Sequence, residues 1–219
     1  MRWASRVARA AALPLAAAAP VMLVAQVAPA QTRPEPSYGR VQGDLTLVGG
    51  VGAVVAEGGV RGEGEARVRY LESAGLFVAY EEGFGVAATE PARLLAAGLE
   101  VRPFFLYRWL RGLETRRARF DLMVDSLGIE LGATVAQPVG ETFASRDGVQ
   151  VGLGVELPLS LAATGLWIGL HGGIRWSDAW LADGVARDAG DRAAFVALTL
   201  AWHQVVVAHV VDTGDEAPR

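Results

Sequence analysis

Cysteine is absent from the 219 residues, and so are lysine and asparagine. Without cysteine there is no disulfide framework, no thiolate metal site and no thiol nucleophile, so stability rests on packing and hydrogen bonds. Without lysine, all 20 basic residues are arginine, a uniformity read as coding bias rather than phosphate recognition. Long apolar runs are scarce too: beyond the amino-terminal segment none reaches the ~20 residues of a membrane helix. The mean hydropathy of +0.28 is therefore spread through short segments. No phosphate loop, dinucleotide fingerprint, zinc spacing or EF-hand spacing occurs, and no cofactor or metal is expected.

The amino-terminal segment has a pattern of its own. Arg2, Arg6 and Arg9 precede an alanine-rich run, Ala10 to Val27, and Ala28-Pro29-Ala30 supplies a small-x-small cleavage site. Residues 1–30 read as a secretory signal peptide; the competing reading is an uncleaved anchor, which Pro14, Pro20 and the cleavage site oppose. Residues 31–40 form a short polar lead-in, residues 41–204 one domain, and residues 205–219 a tail. Removing three arginines from 20 basic residues leaves 17 against 24 acids, a mature net charge of −7 that argues against a nucleic-acid partner.

What is present is alternation. In "GVQVGLGVELPLSL", residues 148–161, aliphatic Val149, Val151, Leu153, Val155, Leu157 and Leu159 alternate with Gln150, Gly152, Gly154, Glu156 and Pro158. Period two marks a strand with two different faces. The same pattern predicts strands near 41–57, 65–71, 76–81, 95–109, 128–137, 166–176 and 192–203, which makes eight in all. The glycine-rich "EGGVRGEG" reads as a turn, "ESAG" as a tight connection, and Pro103 as a blemish at a bulge. Phe120, Met123, Val124 and Leu127 fall instead at helical spacing, so a short amphipathic helix is predicted near 118–127. Arg111, Arg116, Arg117 and Arg119 precede or open it, as a solvated basic loop or as a contact for lipid phosphates.

Either a soluble lipocalin-like barrel with an apolar interior or a membrane barrel with an apolar exterior fits such strands. Two features favour the second. The polar face carries Gly98, Gly132, Gly152, Gly154, Gly169 and Gly173, which suit a crowded interior rather than a solvated surface. The apolar face carries no charge, and an arginine facing lipid at midplane costs about 2–4 kcal/mol, a selection that water does not impose. With the amino terminus in the periplasm, Tyr70, Tyr107, Trp109 and Trp202 fall near one rim and Tyr80 and Trp176 near the other.

On these strands, residues 41–203 resemble the small eight-stranded outer-membrane β-barrels of Gram-negative bacteria, the class that includes outer-membrane proteins A and X. The resemblance implies an all-β fold, an antiparallel up-and-down transmembrane barrel, and an outer-membrane location after cleavage near Ala30. It implies a monomer surrounded by outer-membrane lipid, with surface ligands met through loops. Members of that class often end on an aromatic residue; here Trp202 fits, but "HQVVVAHVVDTGDEAPR" runs on past it.

Little chemistry is encoded. Glu100, Arg102, Glu130, Glu156, His171 and Arg175 share the inward face and are expected to pair in a polar lumen network, with an ion or proton path as the alternative. His171 with Ser177 and Asp178 is the nearest approach to the triad of a lipid-modifying barrel, and no His-x-Ser element accompanies it. Asp178, Asp183, Asp188 and Asp191 form an acidic loop, solvated by default. The expected role is structural or surface-interacting, without catalysis.

Overall fold

The computed structural model describes residues 37–84, 91–184 and 191–208, all within the compact unit Pro34–Arg219; the segment expected to be a signal peptide, the start of the lead-in, Asp188 and the tail beyond residue 208 lie outside the described residues. Eight strands follow one another in the order of the chain: β1 (Leu45–Ala56), β2 (Gly59–Tyr70), β3 (Ala74–Glu82), β4 (Arg93–Val101), β5 (Gly128–Gln137), β6 (Arg146–Pro158), β7 (Gly165–Ser177) and β8 (Arg192–Val206). Each pairs antiparallel with the next, and β8 pairs with β1, so the sheet is a closed up-and-down barrel with no free edge.

Register fixes the geometry. Partners traced once round the barrel run Leu45, Tyr70, Ala74, Val101, Ile129, Leu153, Gly172, Val196 and back to β1 at Val55, ten residues from the start. With strands ~4.8 Å apart and a rise of ~3.3 Å per residue, that stagger tilts the strands by about 40°. Eight strands at such a tilt enclose a space that side chains fill.

The two faces fall as the alternation predicts. Leu47, Val51, Val55, Leu76, Leu99, Leu131, Leu153, Leu170 and Leu198 are exposed on the outside. Thr46, Arg67, Phe77, Glu100, Glu130, Gln150, Glu156, His171 and Thr199 are buried inside. At the end away from the termini β3, β4 and β6 run further than predicted, bringing Glu82, Arg93 and Asp147 onto the outward side, where Arg192 at the start of β8 also lies. There Arg93 donates to Glu82 at 2.8 Å and Arg192 lies over the Trp180 ring, so charge appears only where the apolar belt stops.

Two predicted boundaries and one predicted face are corrected. "EGGVRGEG" is mostly strand: only Glu57 and Gly58 turn, and Gly59 opens β2. Glycine reads locally as a turn signal, but Gly62 is covered by the Phe84 ring, a cross-strand arrangement in which an aromatic shields a bare backbone. The strand predicted for 95–109 ends at Val101; Pro103 caps helix α1 (Phe104–Leu110), where a missing N–H costs nothing. The predicted helix is present as α2 (Ala118–Asp125), but Asp121, Leu122 and Asp125 are its buried residues while Phe120 is exposed, as is Leu127 just beyond it.

A further short helix, α3 (Asp178–Asp183), follows β7, where the sequence suggested only a loop. Ser177 caps it by accepting the Trp180 N–H at 3.2 Å, and Gly184 ends it in the left-handed region at φ +69°. The strand β8 extends to Val206, past the expected end near His203, because Leu45 and Thr46 at the start of β1 still offer it partners.

Candidate functional site

The interior is built from strand positions that alternation turns inward, and stagger decides which of them meet. Nearest the termini, Arg69 bonds Glu100 at 3.1 Å and Glu156 at 2.8 Å, and Arg102 bonds the same two carboxylates at 2.5 and 2.6 Å. Arg102 also reaches Glu72 at 3.5 Å. One layer further in, Arg67 contacts Glu65 at 2.8 Å, Glu130 at 2.5 Å and Glu100 at 3.1 Å, while His171 Nδ1 lies 2.9 Å from Glu130. Towards the opposite mouth, Glu81 takes Arg61 at 2.7 Å and Arg175 at 2.5 Å, and Arg175 donates to Gln150 at 3.0 Å.

The six residues assigned to the network from sequence are all inward and buried: Glu100, Arg102, Glu130, Glu156, His171 and Arg175. They do not form one cluster. Arg175 belongs to a Glu81–Arg61 group nearer the opposite mouth, where its guanidinium lies over the Phe195 ring at 3.9 Å. Sequence reasoning missed Arg61, Glu65, Arg67, Arg69, Glu81 and His203. For Glu65, Arg67 and Arg69 the signal was present, since they alternate with Ala66, Val68 and Tyr70; Arg61 was hidden inside the supposed turn.

Glycines make room for these layers. A Cβ on Gly154 would sit 2.5 Å from His171 Nδ1, and one on Gly169 would sit 2.5 Å from the Thr199 hydroxyl oxygen. A Cβ on Gly98 or Gly173 would strike the neighbouring strand's carbonyl. Gly152 is less confined, its nearest neighbours lying at 3.4 Å. Crowding is therefore real on this face but uneven.

A helical cap closes the end where the described chain enters and leaves the barrel. It is built from α1, α2 and the strap Ser37–Asp44, which turns the lead-in into structure. Arg108 of α1 donates to Asp121 and to Asp125 of α2, each at 2.6 Å. Arg40 pairs with Asp125 and stacks on Phe105, 4.1 Å from the ring centroid, and the Tyr38 hydroxyl donates to Asp121 at 2.8 Å. Burial alone would raise the Asp121 carboxyl, but donation from the Thr115 N–H, Tyr38, Arg108 and the Thr115 hydroxyl outweighs it and holds the group below its ordinary value. Burial, and then the bond to Asp121, push Tyr38 up to about 12.

The cap is stitched to the lumen at two points. Ser126, which ends α2, accepts the Glu156 N–H at 2.7 Å, a donor on β6 that lies beyond the reach of β5. Leu122 packs on Ala163 and Trp167, and Trp167 stacks on His203 at 4.5 Å between centroids.

Of the triad-like set, His171 is held by Glu130, while Ser177 donates to Asp191 at 2.6 Å instead of meeting it. Asp178 is exposed at the start of α3, so Asp178 and Asp191 serve different local roles; the Asp183 side chain and Asp188 lie outside the described residues. Among the described residues no cluster of acids and histidines is arranged to hold a metal ion.

No protein-family model matches the chain, and no curated protein matches its sequence. Among solved structures it is similar to Neisserial surface protein A, at 11% identity and a TM-score of 0.40, over 73% of this chain and 96% of that one.

Proposed function

We propose that the protein is an outer-membrane β-barrel with a closed, ion-paired lumen, acting as a structural or surface-interaction protein. The observation that carries this reading is the outward face, where exposed aliphatic side chains from all eight strands form a belt without charge between its rims. Water penalises such a surface, and hydrocarbon selects for it. A soluble carrier of lipocalin type needs the reverse arrangement, with aliphatics around a hollow and charges outside.

The lumen supports a closed barrel. Ion pairs and buried apolar side chains fill the axis together, a helical cap closes the terminal end, and the connections at the far mouth are left as the natural place for surface contacts. The reading involves no catalytic step, a monomer, and lipid as the surrounding partner. Fractionation with heat-modifiable gel mobility tests it: the protein is expected in the outer membrane and is expected to migrate faster before boiling than after. A soluble periplasmic protein with one mobility would refute it.

A further inference from the structure

The helical cap has the same inside-out polarity as the barrel, and nothing in the barrel requires this. Its charged residues Arg108, Asp121 and Asp125 are buried, while Phe104, Tyr107, Leu110, Leu113, Phe120 and Leu127 are exposed, Leu110 to 73%. Phe104, Tyr107 and Leu110 recur every third residue along one side of α1, away from the inward Phe105 and Arg108. A cap surrounded by water would turn these faces the other way.

Charge borders this apolar surface. Arg111, Arg116, Arg117 and Arg119 are exposed, and among the described residues no carboxylate pairs with any of them. Arg119 donates only to the Leu159 carbonyl, at 3.3 Å. The apolar residues also continue the belt without a break: Val101 leads into α1, Leu127 leads from α2 into Ile129, and Leu157, Leu159 and Leu161 lie on the exposed side of the connection that Arg119 touches.

We propose that the α1–α2 hairpin is an interfacial anchor that lies on the bilayer at the terminal end of the barrel and binds anionic phospholipid. The aromatic and aliphatic side chains sit at the acyl boundary, and the unpaired guanidinium groups take the phosphates, each in reach of two or more oxygens. This inference rests on the outer-membrane reading but adds a partner and a surface to it. A second copy of the chain is the competing occupant, and the acidic net charge with no complementary carboxylate patch on the described cap disfavours it.

Because the chain has no cysteine, single cysteines can be spin-labelled cleanly. The mature protein carrying Leu110→Cys or Leu153→Cys is refolded into vesicles of phosphatidylcholine, alone or with phosphatidylglycerol, and accessibility to oxygen and to a water-soluble nickel chelate is measured. The Leu153 label is expected in the hydrocarbon in both lipids. The Leu110 label is expected at the interface, drawn deeper by phosphatidylglycerol, with that shift lost in high salt or in Arg111→Gln/Arg116→Gln/Arg117→Gln. If the Leu153 label is buried in lipid but the Leu110 label stays aqueous in both, the anchor is wrong and the barrel reading survives. If label–label broadening at Leu110 rises with protein density regardless of lipid charge, a second copy occupies the face and the anchor is likewise overturned. An aqueous Leu153 label ends both.

Discussion

A leucine 65% exposed at position 153, halfway along a strand, has no purpose in water, and a glutamate buried at position 130, the third residue of β5, has none in an apolar core. Single residues thus carry opposite expectations. Leu153→Arg puts a guanidinium among acyl chains and is expected to cost about 2–4 kcal/mol, read as loss of the fast-migrating folded band during urea titration in lipid. Gly154→Ala drives a methyl against the His171 ring, whereas Gly152→Ala meets its neighbours at 3.4 Å; only the first is expected to lose about 1–3 kcal/mol in the same titration. Glu156→Gln leaves Arg69 and Arg102 short of a counter-charge, with an expected cost of about 3–5 kcal/mol, the penalty of a stranded buried charge. Which residues face inward was readable from alternation alone. Which of them pair was not: Arg67 and His171 lie 104 positions apart in the chain and meet only through the stagger of the closed barrel.

At the scale of elements, legibility followed how distinct the two faces are. Strands β5 to β8 separate aliphatics from glycines and charges at nearly every position, so period two is unambiguous. In β2 glycine occupies both faces, at Gly62 and Gly64 outside and at Gly59 near its start, and local turn propensity overrode the pattern. The run Phe104–Leu110 is apolar at both odd and even positions and fits either period; Pro103 decided it, by opening a helix rather than interrupting a strand. The polarity of α2 was hidden for another reason: its inward face is set by Tyr38, Arg40 and Arg108, none of which is near it in sequence. This cap has its own pH dependence. Asp121 is held below its ordinary value of 3.8, so its stabilisation is intact above that value and is lost as pH falls through the lower folded one. Tyr38 is raised to about 12 from 10.0, so its contribution is intact below pH 10 and is lost as pH rises through about 12. Spin-label mobility at Leu113 is expected to stay flat from pH 5 to pH 9 and to rise on both sides; loosening near neutrality would contradict the assignment.

For the whole molecule, one inversion runs through barrel and cap: their interiors enclose paired charge and their outward faces display apolar surface, with exposed arginines at the border of the cap. Closure of β8 on β1 removes the open edge, the layered ion pairs occupy the centre, and the cap closes one end, so the lumen is expected to be electrically silent. Planar bilayers containing the refolded barrel should show no steps above background, and Asp121→Ala/Asp125→Ala should leave them silent, because the Arg69, Arg102, Glu100 and Glu156 layer still blocks the axis. The inversion itself is tested most directly by single cysteines at each position from Gln150 to Leu157 of β6, probed in lipid vesicles for quenching of an attached fluorophore by brominated acyl chains. The account predicts quenching at Val151, Leu153, Val155 and Leu157 and none at Gln150, Gly152, Gly154 and Glu156; quenching without a period of two, or strongest at the even positions, would contradict it.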